Sequence, residues 1–121
     1  DCVTEAIKTL PTQSKLVLMS IIINEERGSG KLTTGELYET YRDISQFIDM
    51  QILTQRRVTD LVSELDMMGI VHARVKSFGR GGRTKEIDLS VPINETKKIL
   101  EEDEVLHPLK NYRPKNQTTL I

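Results

Sequence analysis

The chain has 121 residues, of which 29% are charged, and its formal net charge is −1. That length suits one domain able to bury most of the apolar surface exposed on unfolding, and the balanced charge excludes binding of nucleic acid by global positive charge alone. The single Cys2 excludes an intramolecular disulfide and fits a reducing compartment, while the longest apolar run, Leu16 to Ile23, is broken by Ser20 and falls far short of the roughly 20 residues of a membrane span.

The sequence opens with Asp1 rather than Met and enters the helical-looking "VTEAIKTL" directly, as expected of a piece of a longer protein. Pro11 and Thr12 punctuate it. The stretch Leu16, Val17, Leu18, Met19, Ile21, Ile22, Ile23 is apolar on most sides, which predicts a central core helix ending near Gly28.

The following "GSGK", residues 28–31, resembles the end of a phosphate-binding loop but departs from G-x-x-x-x-G-K-[ST] at both ends. Glu25 occupies the first glycine position and would repel phosphate; Leu32 follows Lys31, where a metal-binding hydroxyl is needed. The glycines instead end one helix and turn the chain toward the next. Lys31 and Leu32 suit a very short strand, and Thr33 followed by Glu36 has capping-box spacing. The helix so started carries Leu37, Tyr41, Ile44 and Ile48 on one stripe, widened by Tyr38 and Phe47.

Thr54 is a good N-cap for a third helix, "QRRVTDLVSELDMM", which Gly69 ends. Val58, Leu61, Val62, Leu65 and Met68 form its apolar face. Arg56, Thr59, Asp60, Ser63 and Met67 lie opposite, flanked by Gln55 and Arg57.

After Gly69 the period becomes two. Val71, Ala73 and Val75 alternate with His72, Arg74 and Lys76; "FGRGGRT" intervenes; Ile87, Leu89 and Val91 alternate with Glu86, Asp88 and Ser90. The pattern predicts an antiparallel hairpin with one buried face and a glycine-rich basic tip. From Ile70 to Lys85 there are five cations (Arg74, Lys76, Arg80, Arg83, Lys85) and no acid, whereas Glu86 to Leu106 holds seven acids and two lysines. "ETKKILEEDEV" reads as a short acidic helix on which Glu101, Glu102, Asp103 and Glu104 form a solvated face rather than an acid/base pair. Residues 1–106 make the domain, and 107–121 a tail that is extended, poorly ordered or ordered only by docking.

This element order is that of a winged helix-turn-helix: an α+β, mainly helical fold with a three-helix core, a two- or three-stranded antiparallel wing sheet and an extra C-terminal helix. In that architecture the third core helix enters the DNA major groove and the wing reaches the neighbouring backbone or minor groove. Arg56 and Arg57 on the helix and the five wing cations would then face one duplex, which outweighs the net charge of −1. Cys2, His72 and His107 have no metal-ligand spacing, so no metal site and no enzyme activity are expected.

The run from Leu53 to Leu89, "LTQRRVTDLVSELDMMGIVHARVKSFGRGGRTKEIDL", resembles the C-terminal winged-helix domain of the archaeal origin-recognition initiators, relatives of the eukaryotic origin recognition complex and its helicase-loading partner. The similarity extends upstream through "LPTQSKLVLMSII" and "LTTGELYETY". It implies sequence-preferring binding of duplex DNA at origin repeats during replication initiation, in a cytoplasmic, nucleoid-associated protein. It also implies an N-terminal AAA+ module that binds ATP and magnesium, which this chain lacks, so no cofactor is expected here. By position, Gln55, Arg56 and Arg57 belong to the recognition helix, with Thr59 and Ser63 facing the same way. Arg80 and Arg83, among Gly79, Gly81 and Gly82, belong to the wing with Arg74, Lys76 and Lys85. Arginine offers a planar fork for guanine or phosphate, and glycine lets backbone approach a narrow groove. Lys31, Thr33 and Thr34, at a helix N-terminus, suit either phosphate contact or simple capping. The rival readings are a protein-interaction module, for a replicative helicase or a second copy, and a dimeric transcription regulator. The initiator reading expects a monomer.

Overall fold

The structure, a computed structural model, describes residues 2–28, 32–77 and 83–112, without side chains at 2, 75–77, 83 and 84. Its elements are α1 (Cys2–Lys8), α2 (Thr12–Glu26), β1 (Leu32–Thr33), α3 (Thr34–Phe47), α4 (Gln55–Met67), β2 (Val71–Ser77), β3 (Arg83–Leu89), α5 (Ile93–Glu101) and a 3-10 turn (His107–Asn111). This is a winged helix with a three-stranded antiparallel sheet in the order β1-β3-β2. Among the described residues no helix is long and apolar enough to cross a membrane.

The all-round apolar character of α2 has a direct cause in the packing. The helix touches α3, α4, α5, β1 and β3, and every residue from Ser14 to Asn24 is buried. Its polar members bond within the core: Ser20 Oγ donates to the Leu16 carbonyl at 2.8 Å, and Asn24 Nδ2 to the Ser20 carbonyl at 2.8 Å and Thr40 Oγ1 at 3.0 Å. Gly28, with φ of 67°, follows the helix in the left-handed region that a side chain disfavours.

α4 ends as its sequence predicts. Gly69 has φ of 80°, its N–H donates to the Asp66 carbonyl, and the Ile70 N–H donates to the Leu65 carbonyl, both at 3.0 Å. Leu65 and Ile70, both buried, close this Schellman motif and aim the chain into β2.

Several expectations are corrected. Phe47 and Met68, placed on apolar stripes by periodicity, are 49% and 48% exposed. Each stands at the C-terminal end of its helix; Phe47 meets Tyr112 edge-on, with ring centroids 5.5 Å apart. Glu86, expected on the outer face of the hairpin, is buried because β3 is the central strand: it lies in register between Thr33 of β1 and Arg74 of β2.

The acidic helix stops at Glu101. Asp103 lies beyond it and is no solvated carboxylate: it accepts from Lys15 Nζ at 2.7 Å and from the Val105 N–H at 2.8 Å. Burial alone would push this carboxyl up, but the Lys15 hydrogen bond and charge and the Val105 N–H outweigh it and hold it below the ordinary aspartate range. The ion pair seats the C-terminal segment, whose first six residues are described: Leu109 of the 3-10 turn is 5% exposed and joins the core.

Candidate nucleic-acid interface

α4 starts at Thr54, whose extended backbone leaves its Oγ1 free to accept the Arg57 N–H at 3.2 Å. The cap satisfies one of the unpaired donors of the first turn and fixes Gln55, Arg56 and Arg57, all exposed. Val58, Leu61, Val62 and Leu65 hold the opposite face on the core, none more than 7% exposed. A rigid cationic turn is thereby presented to solvent.

The two hydroxyls expected beside these residues are already engaged. Thr59 Oγ1 donates to the Gln55 carbonyl within the helix at 3.0 Å. Ser63 Oγ accepts from Lys85 Nζ at 3.3 Å. Lys85 stands two residues before buried Ile87 on β3, so it shares that strand's inward side and reaches α4 instead of projecting from a free wing. This contact sets the hairpin alongside the outer flank of α4, which the sequence pattern alone could not establish.

The base of the hairpin carries balanced charge. Arg74 Nη2 lies 3.1 Å from Asp88 Oδ2, an exposed pair on the outer sheet face. Lys76 and Arg83 occupy strand positions in β2 and β3, while Arg80, Gly81 and Gly82, like Lys31, fall outside the described residues.

At the start of α3 the capping role accounts for Thr33. Its Oγ1 accepts the Glu36 N–H at 3.3 Å, and Glu36 Oε1 accepts the Thr33 N–H at 3.1 Å. Thr34, partly buried, is the first residue of that helix. Periodicity treats Tyr38 and Tyr41 as core-stripe residues and so misses their hydroxyls, both of which bond Leu53 in the turn before α4. An open cavity of about 410 Å³ lined by Glu26, Asn94, Glu95, Lys97, Lys98 and Glu101 belongs to α2 and α5, not to this surface. The Lys97–Glu26 ion pair, 2.9 Å, crosses it.

Residues 5–99 match the family model described as "CDC6, C terminal winged helix domain". The chain belongs to this winged-helix family. It is 61% identical over 115 residues to the ORC1-type DNA replication protein 1 of Methanosarcina mazei, covering 93% of this chain and 28% of that protein. It is 54% identical over 114 residues to the ORC1-type DNA replication protein 7 of Halobacterium salinarum, covering 94% and 22%. The chain thus spans roughly a quarter of the length of these relatives. Among solved structures, the Aeropyrum pernix ORC1 protein in complex with DNA superposes with a TM-score of 0.82 at 41% identity, over 88% of this chain and 28% of that one. Family membership accounts for the winged-helix fold, in which β2–β3 is the wing hairpin.

Proposed function

We propose that this chain is the duplex-DNA-binding domain of a larger replication initiator and that it contributes to origin recognition. The observation that carries the proposal is the exposed Gln55-Arg56-Arg57 turn, fixed by a capped and core-packed helix, with the cationic hairpin tied to its flank through Lys85 and Ser63. The names of the relatives, which are DNA replication proteins, and the DNA complex of the Aeropyrum pernix neighbour support it. The first turn of α4 enters the major groove, where Arg56 reads base edges and Arg57 contacts phosphate; the wing tip follows the adjacent backbone or minor groove. ATP chemistry belongs to another part of the initiator, because Glu25 and Leu32 break the phosphate-loop pattern, and the isolated domain acts as a monomer. A replicative helicase is the protein partner this reading allows.

A titration with duplex DNA across a salt series tests the proposal. With about 4 to 6 phosphates neutralised, log K falls against log salt with a slope of about −4 to −5. Affinity unchanged between low and moderate salt removes DNA from the partners of this chain.

A further inference from the structure

The turn between α3 and α4 is held by side chains rather than by a backbone ladder, and the side chains converge on one residue. Leu53 immediately precedes the cap Thr54. Its N–H donates to Tyr41 Oη at 2.9 Å, and its carbonyl accepts from Tyr38 Oη at 2.8 Å. Two tyrosine hydroxyls, one turn apart on α3, thus bond both polar groups of a single residue. Tyr41 Oη in turn donates to Gln13 Oε1 at 2.6 Å, and Gln13 Nε2 donates to the Gln51 carbonyl at 2.9 Å, which carries the network to the first turn of α2. The rings themselves stack with centroids 5.9 Å apart. Burial pushes the Tyr41 hydroxyl above its ordinary range, so it remains a proton donor to Gln13 throughout the neutral range.

Packing alone does not require these hydroxyls. Tyr41 is fully buried, and phenylalanine would fill the same volume. The hydroxyls act on the chain at the point where the direction of α4 is decided, since Thr54, Gln55, Arg56 and Arg57 follow Leu53 without a break. Reading base edges needs donors held to within a fraction of an ångström, whereas holding phosphate tolerates more freedom.

We propose that Tyr38 and Tyr41 are positioning residues for DNA reading: their hydroxyls clamp Leu53 and thereby set the placement of the Gln55–Arg57 turn in the major groove. The inference rests on the DNA-binding role above and adds to it the device on α3 that aligns the reading turn. It separates two quantities that a merely structural role would move together, sequence preference and stability.

The test uses the 121-residue chain, its Tyr38→Phe and Tyr41→Phe variants and the double variant. The preferred duplex is the one that the wild-type chain selects from a randomised duplex pool. Amide exchange followed residue by residue, without DNA, reads the clamp itself: Tyr41→Phe speeds exchange at Leu53 and at the capped Arg57 while the ladder-bonded amides of His72 and Arg74 keep their wild-type rates. Binding reads its consequence. The double variant loses about tenfold in the ratio of preferred to random duplex affinity, with random-duplex affinity and salt slope unchanged, because no phosphate-binding cation is touched. A double variant that melts lower yet keeps the wild-type ratio overturns the inference and leaves the DNA-binding role standing. A wild-type chain that binds no duplex overturns both.

Discussion

The two cationic elements of this domain are held in opposite ways. The exposed first turn of α4 is fixed at three levels: the Thr54 cap, four side chains buried against α2 and its neighbours, and the bonds to Leu53 from α3. The hairpin is anchored at its root by Val71 and Ile87, tied to α4 through Lys85, and paired on its outer face by Arg74 and Asp88. Base recognition depends on donor geometry and requires the first arrangement; charge neutralisation depends on proximity and is served by the second. On the proposed DNA-binding role, sequence preference and raw affinity are therefore expected to be separable by position.

The strongest way to break this comparison is to remove the support of α4. Leu65 is 1% exposed, so Leu65→Ala is expected to cost about 2–5 kcal/mol of stability. Leu89→Ala, at a half-buried position on the hairpin, is expected to cost clearly less. Chemical denaturation of the two variants checks the order, and equal losses would show that the hairpin is as firmly held as the helix.

A smaller effect divides reading from affinity. Arg56→Ala is expected to lower preference for the selected site by about 1–3 kcal/mol while random-duplex binding falls little. Arg80→Ala combined with Arg83→Ala is expected to weaken specific and random DNA alike and to make the salt slope shallower by about 2. Competition binding with both duplexes distinguishes them, and the reverse pattern would make the wing the reader.

The smallest effect is a control on a region outside both elements. Asp103 is held below its ordinary value of 3.8 by Lys15, so the unfolded chain takes up this proton at a higher pH than the folded one. The contribution to stability is complete above that ordinary value and is lost as pH falls through the depressed one. Asp103→Asn should remove that part of the acid dependence of the melting temperature. An acid limb identical to that of the wild type would show that the pair does not seat the C-terminal segment.

Much of this arrangement was legible in the residues. Thr33 with Glu36, Thr54 and Gly69 mark helix ends because capping is a local interaction between groups a few residues apart, and the apolar run of α2 is continuous because that helix is surrounded. The change from a helical period to a period of two located the hairpin for the same reason. The winged-helix fold followed from the order of those elements, as the family match to residues 5–99 bears out.

What the sequence could not decide is which side chains meet across elements. Periodicity gives the facing of a residue on its own helix or strand, but burial depends on what stands opposite. Hence Glu86 is covered by two neighbouring strands although it alternates outward, and Phe47 and Met68 are half exposed although they fall on apolar stripes. Asp103 finds Lys15, Lys85 finds Ser63, and the tyrosine hydroxyls find Leu53. Each of these contacts joins residues 12 to 88 positions apart, beyond the reach of any local pattern. Local physics therefore fixed where each element begins, ends and carries charge, while only tertiary packing brought the first turn of α4, the tyrosine hydroxyls that bond Leu53 and the root of the hairpin into one structure.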